Sequence, residues 1–340
     1  MTRVLRARRS ARRTWLTLVV GLSMLLAACA KNAPQDTLRP ASPDTRSIDS
    51  LFWLTFWVAV VVFVLVEGLI LFALIRHRDK GEGVEPVQTH GNARLELGWT
   101  IAPALVLFML AFPTVGTIWK LARSRTNPIK VTVTGHQFWW EYRYEGLGVV
   151  TANELHLPIK RNVELTLKSV DVIHSFWVPR LFGKHDVEPG RVSRINASAD
   201  RPGVYLGQCV EFCGLSHANM RLRAIAQTSD DFAAWVESQR QAPATPAAGS
   251  DAEAGFNLFQ TKGCSGCHTV DGVSKGMIGP NLTHVLSRTS FAGSLLEMSP
   301  ENLRRWLRDP PKVKPGSKMP NLGLSDADIT QLIAYLETLK

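Results

Sequence analysis

The chain has 340 residues, 45% hydrophobic and 20% charged, so it is long enough for several compact units and too apolar to be disordered. Its formal net charge is +10, but six arginines (Arg3, Arg6, Arg8, Arg9, Arg12, Arg13) crowd the first thirteen residues, where no acid occurs. That clustering makes the basicity a targeting feature, and nucleic acid is not an expected partner.

The arginine-rich start runs into the apolar stretch Trp15 to Leu26, and residues 1–28 read as a signal peptide. Leu26-Ala27-Ala28-Cys29 resembles the lipobox at which bacteria attach diacylglycerol, so Cys29 is the expected lipid anchor; the alternative is an ordinary signal cut near Ala28. After an extracytoplasmic tail, residues 29–50, the run 51–75 carries one charge, Glu67, and as a helix would extend roughly 37 Å, enough to cross a bilayer. A polar loop, 76–96, precedes a second span, 97–119, uncharged and holding Pro103 and Pro113. Two spans make a hairpin, and secretion puts both the tail and everything after Trp119 outside the cytoplasm. Glu67 lies where an ionisable group is costly and reads as a polar contact with a partner helix.

Residues 120–238 form the next unit. From Ile129 to about Val236, short alternating or β-branched runs are broken by Gly and Pro, which predicts an all-β sandwich. Within it, Cys209, Cys213, His217 and Met220 fall inside twelve residues. Soft sulfur with imidazole suits copper, and two cysteines four apart can bridge two copper ions. A disulfide, or a zinc site built on Cys209, Cys213 and His217, are the competing readings, and neither needs Met220.

Residues 239–250, rich in Ala and Pro, are a linker. Residues 251–340 read as all-α: Ser299-Pro300 and Ser325 with Asp328 are helix starts, and Ile329, Leu332, Ile333 and Leu336 form one apolar stripe. Cys264-Ser-Gly-Cys267-His268 is a c-type haem attachment pattern, with thioether bonds from Cys264 and Cys267 and His268 on the iron. Met319 is the expected sixth ligand, with Met277 and Met298 as alternatives.

These motifs carry a resemblance to cytochrome c oxidase subunit II. Asp171-Val-Ile-His174-Ser-Phe-Trp-Val-Pro179 is similar to the family's first copper-histidine segment, and Cys209 to Met220 matches its binuclear copper (CuA) loop at every ligand position. The likeness spans roughly residues 45–237 and implies a two-helix transmembrane hairpin followed by a cupredoxin sandwich. It further implies that His174, Cys209, Cys213, His217 and Met220 ligate copper through side chains and Glu211 through its carbonyl. Glu211 would also help hold magnesium at the contact with subunit I. Glu96 matches a carboxylate at the mouth of a proton path. Gly135-His136-Gln137-Phe138-Trp139-Trp140 resembles the aromatic segment by which electrons enter, making Phe138 and Trp139 path candidates; Phe138 stands where many relatives have tryptophan, which fits electrons arriving from a tethered haem. Residues 251–340 resemble class I cytochromes c, through Gly279-Pro280-Asn281-Leu282 and the pair Gly255-Phe256 with Tyr335-Leu336.

The resemblance therefore implies the electron-transfer subunit of a proton-pumping caa-type oxidase in a bacterial inner membrane. Its donor would be a cytochrome c or a bc complex, its cofactors two copper ions, covalent haem c and magnesium, and its partners subunits I and III and membrane lipid. Both spans lack histidine, so dioxygen chemistry would belong to haem a and its neighbours in subunit I. The alternatives are the equivalent subunit of another terminal reductase, such as one for nitric oxide, and a free-standing membrane-tethered electron carrier.

Overall fold

Helix α1, Pro43–Arg76, starts at a capping box: Ser42 Oγ accepts from Thr45 N, Thr45 Oγ1 accepts from Ser42 N, and Pro43 sits in the first turn. Helix α2, Ala93–Ala122, starts at Asn92, whose side chain accepts from Arg94 N and Leu95 N. Both are long and apolar enough to cross a membrane. Each outruns the apolar segment read from the sequence; α1 begins eight residues before residue 51 because its cap, not its first apolar residue, sets its start. Described in this computed structural model are residues 15–17, 19–21, 33–78, 88 and 91–340, so the expected cleavage point and lipid at Cys29 lie outside the described residues. Met1–Asp36 and Thr37–Lys340 are separate units, and the second holds every feature below.

The start of α1 and the end of α2 are tied to the domain that follows. Ser42 Oγ donates to Leu181 O at 2.6 Å, Arg125 pairs with Asp44 at 2.5 Å, and Asn196 Nδ2 donates to the carbonyls of Leu121 and Arg123. The carbonyls left over at a helix end thus find donors in the sandwich.

Ten strands form that sandwich: β1 (Ile129–His136), β2 (Trp139–Tyr144), β3 (Val149–Ala152), β4 (Glu154–Pro158), β5 (Val163–Ser169), β6 (His174–Trp177), β7 (His185–Val187), β8 (Ser193–Ala197), β9 (Gly203–Cys209) and β10 (Arg221–Gln227). They make two five-stranded sheets, ordered β3-β2-β1-β5-β8 and β4-β10-β9-β6-β7. Alternation works as expected: in β5, Val163, Leu165 and Leu167 point inward between less buried polar residues. β4 departs from it, being an edge strand with all five residues buried. Something covers its outer face.

One cover is helix α3, Ser229–Ser238, where the sequence pattern suggested strand continuing to about Val236. Thr228 caps it, accepting from Asp231 N, and Phe232, Trp235 and Val236 recur at the helical spacing of three and four. Trp235 stacks on His156 of β4, ring centroids 4.0 Å apart. The rest of the cover is the C-terminal domain, built on α4 (Asp251–Thr261), α5 (Pro300–Arg308) and α6 (Asp326–Leu336). The two predicted helix starts are present: Ser299 accepts from Asn302 N, and Ser325 forms a capping box with Asp328. α4 and α6 cross at Gly255, where Phe256 and Phe259 each lie 5.5 Å from the Tyr335 ring.

Candidate metal centres

His174 opens β6 and Cys209 closes β9, two antiparallel neighbours joined through the pair Phe176 and Cys209. Cys213 lies on the following loop, His217 in a single helical turn, and Met220 just before β10. The loop returns close to its start because Cys209 N donates to Met220 O at 2.9 Å, while Val210 N donates to Ser175 O. Five side chains consequently converge. Cys209 Sγ is 3.9 Å from Cys213 Sγ and 3.9 Å from His174 Nδ1; Cys213 Sγ is 3.6 Å from His217 Nδ1 and 3.8 Å from Met220 Sδ. The Glu211 carbonyl lies 3.3 Å from Cys209 Sγ, while its side chain is exposed. His174, Ser175 and Met220 are fully buried. Gly135 is required beneath the imidazole, since a methyl there would lie 2.9 Å from His174 Cδ2.

The electrostatics favour soft cations. Cys209 lies against the Cys213 thiol and the His174 imidazole, and these contacts pull its pKa down despite burial. The same contact, and burial, push Cys213 up. Two buried thiols sharing charge beside an imidazole need a cation to ionise together. A disulfide would leave His174, His217 and Met220 without a role, and a zinc ion held by the two cysteines and two histidines would leave Met220 without one, yet all of these side chains sit in the cluster. The donor chemistry fits a binuclear copper centre.

Asp171 completes the site, and the sequence reading assigned it no role. Its Oδ1 lies 2.9 Å from His174 Nε2, leaving Nδ1 to face the sulfurs. Burial pushes its pKa up, but His174, Gln137 N and Val172 N hold it well below the usual carboxylate range. Its Oδ2 also pairs at 3.3 Å with Lys318 of the C-terminal domain.

That domain holds a cavity of about 500 Å³ lined by Cys264, Cys267, His268 and Met319. His268 Nδ1 is 2.8 Å from Pro280 O, which leaves its Nε2 as the free nitrogen. Met277 also lines the cavity but is 76% exposed, whereas Met298 does not line it and packs in the core. Two thiols, a fixed imidazole and a thioether around an apolar space of this size fit a covalent c-type haem.

The cavity is not closed by its own domain alone. His136, Gln137, Phe138, Trp139 and Asp171 of the sandwich form one wall. Trp139 stacks on His136 at 4.1 Å, and burial lowers His136 to about 4, so its ring is neutral there. Phe138 lies between the two centres: a methyl at Gly214, next to Cys213, would come within 3.2 Å of its ring, and one at Gly316, three residues from Met319, within 3.3 Å. Glu96 is remote from both, exposed and hydrogen-bonded to Asn92 N at the start of α2.

Comparison with known proteins agrees with this division. Residues 31–116 match the family "Cytochrome C oxidase subunit II, transmembrane domain", residues 147–226 its periplasmic domain, and residues 252–340 "Cytochrome c". The chain is 36% identical to "Cytochrome c oxidase subunit 2" of Alkalihalophilus pseudofirmus, over 94% of this chain and 95% of that one. It is 32% identical to the protein of the same description from Bacillus subtilis, over 96% and 97%. The solved periplasmic domain of subunit II of cytochrome oxidase from Bradyrhizobium japonicum is 27% identical, over 34% of this chain and 96% of that one, with a TM-score of 0.33.

Proposed function

Since the chain belongs to the cytochrome c oxidase subunit II family, and so to a haem-copper oxidase, we propose that it relays electrons one at a time through its cytochrome domain and its copper domain to haem a in subunit I. Cys209, Cys213, His174, His217, Met220 and the Glu211 carbonyl would together hold two copper ions. Cys264 and Cys267 would bind haem c, with His268 and Met319 on its iron. Bound copper and haem supply one-electron redox capacity; the chain's residues hold them, orient them and keep water away. The observation that carries this reading is the convergence of two thiols, two imidazoles and a thioether within 3.9 Å steps, beside a cavity lined by Cys264, Cys267, His268 and Met319.

Phe138 and Trp139 would form the path between the centres. Glu211 would share in a magnesium site at subunit I and Glu96 in the mouth of its proton path, in an enzyme that pumps protons. Phe212 and Leu215, both about three-quarters exposed on the copper loop, suit burial against such a partner. An external cytochrome c or bc complex would be the donor, and the chain would sit, lipidated at Cys29, in a bacterial inner membrane with subunits I and III.

The test is the paramagnetic and optical spectrum of the purified full-length chain loaded with copper and haem. One unpaired electron shared over two coppers, together with a low-spin haem c, is the expected result. A copper-free chain with a Cys209–Cys213 disulfide sinks the relay reading.

A further inference from the structure

Glu154 and Lys314 are ionisable side chains buried where the cytochrome domain meets the copper domain, and neither has a place among the ligands. Glu154, at the start of β4, is 0% exposed. Its carboxylate accepts from Thr289 N at 2.9 Å, Thr289 Oγ1 at 2.5 Å, Ser290 N at 2.8 Å and Ser290 Oγ at 3.0 Å, all groups of the cytochrome domain. Buried Arg288 and half-buried Arg223 flank it: Arg288 Nε donates to Thr151 Oγ1 across the boundary, and Arg223 of the copper domain donates to Thr289 Oγ1 and pairs with Glu297. Lys314 runs in the opposite direction. It belongs to the cytochrome domain, is 4% exposed, and donates from Nζ to Phe138 O at 2.6 Å and Ala292 O at 2.8 Å.

A buried charge is costly unless it is hydrogen-bonded. Here each domain supplies an ionisable group and the other supplies partners for it: Thr289 and Ser290 for Glu154, and the Phe138 carbonyl for Lys314, whose second acceptor, Ala292 O, lies in its own domain. Uncharged contacts accompany the pair: Ser216 Oγ, on the copper loop, donates to Pro315 O at 2.5 Å, and Arg221 N donates to Gly293 O. The linker, residues 239–250, meets the cytochrome domain where Gln239 Nε2 donates to Ser287 Oγ, but its semi-extended Ala- and Pro-rich stretch does not by itself fix a docked position.

Building on the electron-relay reading above, we infer that Glu154 and Lys314 are reciprocal positioning residues that keep the cytochrome domain docked on the copper domain throughout turnover, so that the linker is a tether and not a swinging arm. The Lys314 contact is made to the carbonyl of Phe138, the residue whose ring lies between the two metal loops. Fixing that residue from the haem side holds the distance over which the electron travels. The step itself moves one electron from the haem side to the copper side, with no bond made and no proton moved.

The experiment uses the full-length chain in detergent with copper and haem bound. Pulsed dipolar spectroscopy reads the copper-to-haem distance distribution, and flash reduction of the haem reads the transfer rate over a range of solvent viscosity. The wild-type chain is expected to give one narrow distance and a rate independent of viscosity. In a Glu154→Gln, Lys314→Met double variant the distribution broadens, and the rate falls about tenfold and becomes viscosity-dependent, with both metal spectra unchanged. Thr289→Val, which deletes one donor to Glu154, shifts the same readouts in the same direction and serves if the double variant does not fold. A broad distance or a viscosity-limited rate in the wild type overturns fixed docking and leaves the relay standing. So does a double variant indistinguishable from wild type. Failure of any electron to pass from haem to copper in the wild type overturns the relay reading and this inference with it.

Discussion

At the scale of the residue, the candidate copper site includes a carboxylate that is not among its proposed ligands. Asp171 receives His174 Nε2, Gln137 N, Val172 N and the ammonium of Lys318. An imidazole held this way presents its other nitrogen with little freedom to rotate. Asp171→Asn is therefore expected to weaken copper binding by roughly tenfold in a chelator competition titration of the full chain, without altering haem attachment. Equal affinity in the variant would mean that the ring is held by packing against Trp140 alone. Cys209, Cys213, His217 and Met220 stood out by residue type and spacing, as two thiols, an imidazole and a thioether within twelve residues, whereas His174 and the Glu211 carbonyl came from the family resemblance. Asp171 stood in the His174 segment without a role, because aspartate three residues from histidine is common and only the fold turns it toward Nε2.

At the scale of the element, glycine decides the crossing of α4 and α6. A methyl at Gly255 would press on the Gln331 carbonyl and come within 2.9 Å of Tyr335 Cβ. Gly255→Ala is expected to destabilise the cytochrome domain by roughly 1–3 kcal/mol, although alanine is the better helix former by about 1 kcal/mol. A denaturant titration followed by haem absorbance measures it, and a more stable variant would show that the helices can separate at no cost. Element starts were well marked in the sequence at Ser299 and Ser325, where caps are local chemistry. Helix α3 was less visible, as its three apolar residues Phe232, Trp235 and Val236 make a pattern too short to stand out against the strands preceding it.

Across the whole molecule, burying Lys314 between domains has a consequence for pH. Burial lowers its pKa from 10.5 to about 7, with the charge of Cys213 opposing. Below pH 7 the lysine is charged both folded and unfolded, and the full cost of burying the ammonium is present. Between pH 7 and 10.5 the unfolded chain binds the proton and the folded chain does not, so stability rises with pH. The charge-burial cost relieved over that window is a few kcal/mol, at about 1.4 kcal/mol per unit. Thermal unfolding of the cytochrome domain in the full chain is expected at higher temperature at pH 9 than at pH 7, relative to a Lys314→Met variant carried through the same series. Parallel behaviour of the two proteins would place the ammonium in water.

The order of parts, the membrane hairpin, the sandwich with its metal loop and the haem-binding domain, was set by local sequence, because apolar length, alternation and ligand spacing each act over a few residues. Tertiary structure alone decided how the last two parts meet. Glu154 reads in the sequence as an ordinary strand residue and Lys314 as one more lysine in a loop of lysines and prolines. Their burial depends on partners 135 and 176 residues away, Thr289 and Phe138, and no local pattern encodes contacts at that separation.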